Sequence, residues 1–357
     1  MYGTDIPYRN GKDWAMKKIS ITVMAAAILT ISLCGCQTKQ AAETEQHQYE
    51  DFSQVSVSSD AEAKDIYVVT KAHTSSYWQI LCQGAQQAGN DLNYNIYTGG
   101  TVYETDLDGQ IRLLEKAQTA GADAILIAPV NSNETYPILQ EMKASGIPII
   151  LVDTISNSID FDACFMTDNM QAGRIAAEDM LKKLKETGSS EDEPLQVGIQ
   201  VGSLASQTII ERVAGFFEYW MEHAPEKWSI SEQIYCNEGS ISKAKELTEE
   251  MMLSSEYLRG LVGCNNGSTV GLSTALKESG CKNLVLVGFD FSDEIAELIR
   301  NEDYTASTVV QHQFEMGYQG VMAASALFEG NYEDGRFVDT QVELIDSQNV
   351  EQYEISR

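Results

Sequence analysis

From residue 65 onward the chain alternates short β-branched runs with amphipathic helical stretches, and this alternation restricts the fold more than any other property of the sequence. The strand candidates are Ile66–Thr70, Asn95–Tyr97, Ala124–Ala128, Ile147–Val152, Gln196–Val201, Ser229–Tyr235, Gly260–Gly263, Asn283–Val287 and Ser307–Val310. Between them apolar residues recur at three- and four-residue spacing, as in Leu107, Ile111, Leu114 and Ala117, or Ile209, Val213, Phe216 and Trp220. Such a pattern reads as βαβ units, with a parallel sheet covered by helices on both faces. The stretch 186–194 (ETGSSEDEP) breaks the alternation near the middle. Two doubly wound α/β lobes therefore fit better than one nine-stranded sheet.

An internal echo supports two lobes. Gly121–Asp153 runs strand, Asn turn, helix, Ser145-Gly146, strand and Asp. Arg259–Asp290 repeats the order through Asn265-Asn266, Ser279-Gly280 and a final Asp. In each, Gly supplies the left-handed residue that stops the helix.

Open parallel sheets bind ligands in the crevice beyond the carboxyl ends of their strands. The polar residues there are Lys71 and His73, then Ser75, Ser76, Tyr77 and Trp78 at a helix start. Asp153 and Thr154 follow another strand, as do Ser203, Ser206, Gln207 and Thr208. Asn265 and Asn266, Asp290, and Gln311 with His312 complete the set. Aromatic faces beside amides and carboxylates suit a polyhydroxylated ring, whose C–H groups stack while its hydroxyls hydrogen-bond. Each residue also has a plainer role open to it. Tyr77-Trp78 can be core, Asp153 and Asp290 can cap helices, Asn265-Asn266 can be a turn, and Lys71 can be solvated.

The front end reads differently. Lys17 and Lys18 precede an apolar run from Ile19 to Leu33, too short to span a bilayer, which needs about 20 residues. A positive start, an apolar stretch and small residues make residues 16–35 an export signal. Leu33-Cys34-Gly35-Cys36 resembles the bacterial lipobox, which implies that Cys36 is acylated and becomes the new N-terminus. Residues 1–15 read as an upstream extension. Segment 36–64 is polar and acidic, and reads as the lipidated Cys and a disordered tether. The full chain has 24 Lys+Arg against 53 Asp+Glu, a formal charge of −29. That excess excludes nucleic acid and anionic lipid as electrostatic partners.

Five cysteines follow Cys36, namely Cys82, Cys164, Cys236, Cys264 and Cys281, with no CxxC pair. Metal spacing is absent, so neither a metal nor a cofactor is expected. Free thiols in an exported protein suggest a host living with little oxygen, and a Gram-positive anaerobe is the expectation.

Stretches across residues 65–345 resemble the type I periplasmic sugar-binding proteins of the ribose/galactose group, whose core also occurs in lac-repressor-type regulators. They include YVVTKAHTSSYWQILCQGAQQAGNDLNYN, GADAILIAPVNSN, MTDNMQAGRIAAEDM, SQTIIERVAGF, LVLVGFD and TVVQHQFEMGYQGV. The resemblance implies two lobes joined by three crossover strands, near Thr167-Asp168, after Gln311 and near Asp339–Gln341. Lobe 1 would hold residues 65–167 and 312–339, and lobe 2 residues 168–311 and 340–357. Tyr77 and Trp78 match the family's stacking aromatics, while Asp153, Asn265, Asp290 and Gln311 match its hydroxyl-binding residues. Two family arginines are replaced, by Thr154 and by Ile210, and a stacking Phe falls near Gly239. Losing bidentate clamps puts ribose itself in doubt, with Lys71 and Gln207 as substitutes. Asp153 and Asp290 beside a single Lys would favour neutral polyols over acids.

The resemblance implies a monomeric, membrane-anchored solute-binding protein that captures a small sugar or polyol and delivers it to an ABC transporter permease. A sensor presenting its closed form to a membrane histidine kinase or chemoreceptor is the alternative. An anchored α/β hydrolase is a remote one, since no GxSxG, HExxH or P-loop occurs. A DNA-binding repressor is excluded by the export signal where its helix-turn-helix would stand. Pentose, hexose, inositol, a furanosyl signal molecule and a nucleoside all remain open as ligand.

Overall fold

The computed structural model describes residues 51–157, 160–332 and 336–356. The upstream extension, the export signal and Cys36 lie outside the described residues. Two sheets organise the described chain. The first has seven strands: β1 (Ser53–Ser56), β2 (Asp65–Ala72), β3 (Asn95–Thr101), β4 (Ala124–Ile127), β5 (Ile149–Val152), β6 (Ala163–Met166) and β12 (Arg336–Asp339). Its order is β1-β3-β2-β4-β5-β6-β12. The second has six: β7 (Leu195–Val201), β8 (Trp228–Cys236), β9 (Leu258–Gly263), β10 (Val285–Phe289), β11 (Thr305–Gln311) and β13 (Val342–Ile345). Its order is β13-β11-β10-β9-β7-β8. All pairings are parallel except those of the edge strands β1 with β3 and β13 with β11.

Alternate side chains on the strands serve two cores in each lobe. Ile66 and Val68 of β2 join one apolar cluster while Tyr67 and Val69 join the other. On β10, Val285, Val287 and Phe289 pack on one face and Leu286 on the other. Burial on both faces is what makes these runs continuously apolar rather than alternating with polar residues. Each fully buried side chain of this kind contributes about 1.5–3 kcal/mol.

All nine expected strands form, and four more join them. The four-residue strands β6 (ACFM) and β1 (SQVS) lack the dense β-branched run that marks a central strand. β1 also corrects the expected tether to residue 64: Ser53 to Ser56 pair with Ile96 to Thr98 at the sheet edge. Backbone pairing, the Ser56 hydroxyl at 2.9 Å from both Asn90 Oδ1 and the Tyr94 carbonyl, and the packing of Val55 and the preceding Phe52 on the two cores hold this mostly polar segment.

Helix pairs meet closely at glycines. A Cβ on Gly84 would lie 2.0 Å from the Phe314 carbonyl oxygen, and one on Gly317 would lie 2.0 Å from that of Leu81. These two contacts lock helix Ser76–Leu92 to helix Gln313–Phe328 in the first lobe. In the second, Gly173 and Gly215 play the same part against Arg212 and Met170, locking helix Asn169–Glu186 to helix Gln207–His223. The first turns of the helices Ser76–Leu92 and Gln207–His223 face the space between the lobes, through Tyr77 and Trp78 and through Thr208 and Ile209.

The chain passes between the lobes three times, after β6, after β11 and between β12 and β13. The three crossings are tied together. Asp339 Oδ1 accepts from the backbone N–H of both Asp168 and Gln341, each at 2.9 Å. Thr340 N–H donates to the Met166 carbonyl at 3.0 Å, and His312 Nδ1 lies 2.9 Å from the Thr340 carbonyl.

Candidate functional site

Strand ends of both lobes converge on a cavity of about 30 Å³, room for one or two water molecules. Lys71, Tyr77, Trp78, Asp153, Asn265, Asp290 and Gln311 all line it. Asp153 follows β5 and Asp290 follows β10, both in the left-handed region with φ of +62° and +68°. That backbone is one Asp tolerates better than most residues. Neither caps a helix; each turns its carboxyl into the cavity instead.

Asp153 is the better satisfied of the two. Its Oδ1 accepts from Tyr77 Oη at 2.6 Å, and its Oδ2 from Thr154 Oγ1 at 2.5 Å and Lys71 Nζ at 3.3 Å. Burial alone would push this carboxyl up, but the charges of Lys71 and Arg212 and the two hydroxyl donors hold it below its ordinary value. Tyr77, buried and beside that carboxylate, is raised well above the usual phenol value. Asp290 is different. It accepts one bond, from Gln311 Nε2 at 2.8 Å. Burial pushes its carboxyl up to about 6 against the opposing pull of Arg212 and Gln311, with Asp153 and Glu104 adding to the rise.

Lys71 is not solvated. It is buried, donates to Thr154 Oγ1 at 2.6 Å, and lies 5.5 Å from the centre of the Trp78 ring. Tyr77 and Trp78 serve as core and as cavity wall at once, with ring centres 4.8 Å apart in an edge-on pair. Asn265 is a helix cap rather than a simple turn residue: its Oδ1 accepts from the Ser268 backbone N–H at 3.2 Å. Its Nδ2 is thereby left to face the cavity.

Two expected residues stand elsewhere. Thr154 lies behind the cavity wall, where it braces Lys71 and Asp153 and sits 3.0 Å from Thr208 Oγ1. Gln207 turns away, donating to Glu211 Oε1 at 3.1 Å one helical turn along its own helix. The i, i+4 geometry offers it this partner on the half-exposed face of the helix.

Arg212 corrects the expectation of a single cation. Its Nε donates to Asn169 Oδ1 at 2.8 Å and its Nη1 to the Cys264 carbonyl at 3.0 Å. The guanidinium lies 4.5 Å from the centre of the Phe289 ring, and Nη2 has no partner among the described residues. Its signal was in the sequence: Arg212 falls on the apolar row of Ile209, Val213 and Phe216, where a charge must be paired. Glu104 was also missed, and being on a loop it follows no periodicity. Its Oε1 accepts from Trp78 Nε1 at 3.3 Å and its Oε2 from Asn265 Nδ2 at 3.0 Å.

Hydrogen bonds cross the cleft. Thr208 Oγ1 donates to the Asp153 carbonyl at 3.1 Å, and Ser132 N–H to the Ala205 carbonyl at 3.2 Å. Buried polar atoms remain unpaired at the cavity: Arg212 Nη2 and Asn266 Nδ2 as donors, Gln311 Oε1 as acceptor. Donors and acceptors arrayed this way can bind the hydroxyls of a small ring, which both gives and receives hydrogen bonds. Among the described residues no group of three or more His, Cys, Asp or Glu is placed to hold a metal ion, and no helix is long and apolar enough to cross a membrane.

Comparison with known proteins finds relatives over most of the described chain. A family model described as periplasmic binding protein domain matches residues 66–331. The D-apiose import binding protein of Actinobacillus succinogenes is 24% identical over 72% of this chain and 80% of its own length. The D-ribose/D-allose-binding protein of Pseudomonas aeruginosa is 25% identical over 78% of this chain and 88% of its own. A carbohydrate transporter solute-binding protein from Agrobacterium radiobacter, solved in complex with D-arabinose, superposes with a TM-score of 0.78. It is 27% identical and covers 83% of this chain and 99% of its own.

Proposed function

The chain belongs to the type I periplasmic sugar-binding protein family, and from that premise we propose that it captures a neutral monosaccharide or polyol between its lobes for uptake. The observation that carries the reading is the convergence of Asp153, Asp290, Arg212 and Gln311 beside the Trp78 ring at the ends of strands from both lobes. The sugars named for its relatives, D-apiose, D-ribose, D-allose and D-arabinose, are neutral and rich in hydroxyls, as this donor and acceptor set requires.

Mechanism follows from the geometry. A ligand held between the lobes can enter only when they part, and is buried when they close. The three tied crossings give that motion a hinge. A ligand held by residues of both lobes binds the closed form better than the open one and shifts the population toward it. An epimer that leaves a buried carboxylate or guanidinium unpaired is rejected, because the orphaned group bears its desolvation cost. Export through residues 16–35 and a lipid on Cys36 would keep this cycle beside the membrane, where a permease of the ABC type receives the sugar. The chain contributes binding and closure, and no chemistry on the ligand.

The test is a thermal-shift screen of the chain against monosaccharides, polyols and nucleosides. A ligand at 1,000 times its Kd adds about 4 kcal/mol, equivalent to several degrees at roughly 2–4 °C per kcal/mol. A shift with a sugar that disappears in Trp78→Ala and Asp290→Ala supports the reading, and no shift with any carbohydrate overturns it.

A further inference from the structure

Three carboxylates border the cavity, those of Asp153, Asp290 and Glu104, against two cations, Lys71 and Arg212. The aspartates have their compensation. Asp153 pairs with Lys71 at 3.3 Å, and the Arg212 charge acts on both Asp153 and Asp290. Glu104 pairs with no cation among the described residues. Its two oxygens are held by neutral donors, the Trp78 indole N–H from one lobe and the Asn265 amide from the other. Neutral donors satisfy its hydrogen bonds without cancelling its charge.

Asn265 makes the position selective. Its Oδ1 is committed to Ser268, accepting from both the backbone N–H at 3.2 Å and Oγ at 2.5 Å. Only Nδ2 is left to meet a ligand, and Glu104 already holds it. The loop bearing Glu104 is pressed onto the second lobe, with Thr105 Oγ1 at 3.5 Å from the Glu238 carbonyl and Gly239 against the Glu104 backbone. A ligand group entering between Trp78 and Asn265 therefore meets this carboxylate directly.

We propose that Glu104 sets the charge class of the ligand, accepting a hydroxyl or ammonium donor between Trp78 and Asn265 and excluding sugars that carry a carboxylate or phosphate there. The inference rests on the sugar-binding reading and names the residue that would enforce the charge class that reading expects. A second anion at this position would sit against an uncompensated charge in a partly water-excluded cleft, where like charges repel far more strongly than in water. An ammonium would supply the cation the site lacks.

The experiment is isothermal titration of the chain with two matched sets, D-galactose, D-galactosamine and D-galacturonate, and D-glucose, D-glucosamine and D-glucuronate, alongside D-arabinose. In the unaltered protein the acid is expected to bind at least about 100-fold more weakly than its neutral counterpart, the scale of a like-charge juxtaposition. Glu104→Gln and Glu104→Ala should each narrow that gap by about tenfold or more, and should weaken any preference for the amino sugar. An acid that binds the unaltered protein as well as the neutral sugar overturns the inference, and so does a gap unchanged in both variants. If those results come while Asp290→Asn abolishes neutral-sugar binding, Glu104 is acquitted and the sugar-binding reading stands. Absence of binding by every carbohydrate overturns both together.

Discussion

Asp153 and Asp290 occupy equivalent places in the two lobes. Each ends a central strand in a left-handed conformation, and each donates its backbone N–H at 2.9 Å to a carbonyl on the next strand, Phe165 and Val309 respectively. Their surroundings then push them apart. The first is held charged against its burial by Lys71 and Arg212, and the second is lifted to about 6 by burial. One backbone device carries two electrostatic roles.

Asp290 makes stability depend on pH in a defined sense. Its folded value near 6 exceeds the ordinary 3.8, so the native state holds the proton more tightly than the unfolded chain. The benefit is complete below pH 3.8 and is lost as pH rises through 6, a change of about 3 kcal/mol. Asp290→Asn should therefore stabilise the sugar-free protein at pH 7.5 and make little difference at pH 4. Urea unfolding at the two pH values measures this.

Asp153→Asn should act in the opposite direction. It strands Lys71 as a buried cation, a loss on the order of 3–5 kcal/mol at pH 7. Urea unfolding under the same conditions should rank it well below Asp290→Asn, and equal stabilities would refute the assignment of Lys71 to Asp153.

Sugar binding should separate the two residues of the helix Gln207–His223. Gln207→Ala should leave affinity within about twofold, because its amide serves Glu211. Arg212→Ala, which leaves Asp290 and Asp153 short of a cation, should weaken it by about 100-fold or more. Titration with the sugar found in the thermal screen distinguishes them.

Gly215→Ala should destabilise the second lobe by about 1–3 kcal/mol through overpacking. The new methyl would lie 2.0 Å from the Met170 carbonyl oxygen, so the helices must separate. Since the same helix carries Arg212, affinity should fall along with melting temperature.

Thiol reactivity should follow burial. Cys82 and Cys264 are pushed up to about 12 and Cys164 is raised as well, all by burial. An alkylating reagent at pH 8 should modify Cys236 and Cys281, which are partly exposed, before any of these three. Mass spectrometry of the digested protein reads the order.

The sequence carried the architecture well because strands buried on both faces leave dense apolar runs, as in Ile125–Ile127 and Val285–Val287. Edge strands such as Ser53–Ser56 carry no such mark; backbone pairing, the Ser56 hydroxyl and the single apolar Val55 place this one. At the cleft, residues directly after strands could be picked out by position, from Lys71 to Gln311. Direction could not: Gln207 and Thr154 had the right address and point elsewhere. Arg212 was readable as a charge on an apolar helical row. Glu104 was not, because its partners Trp78 and Asn265 lie 26 and 161 residues away in the chain.

The three crossings between the lobes also order the chain in time. Strands β7 to β11 of the second lobe lie in one unbroken stretch, 195–311, whereas the first sheet waits for β12 at 336–339 and for the helix over 313–328 that covers it. As synthesis proceeds from the amino end, the first lobe receives this covering helix only after the five strands β7 to β11 of the second have been made, and the second then closes with its edge strand β13. A chain cut short before residue 313 would lack the helix that packs on β4, β5 and β6, and would expose to other chains the apolar face that Leu126, Ile150, Val152 and Phe165 share with it.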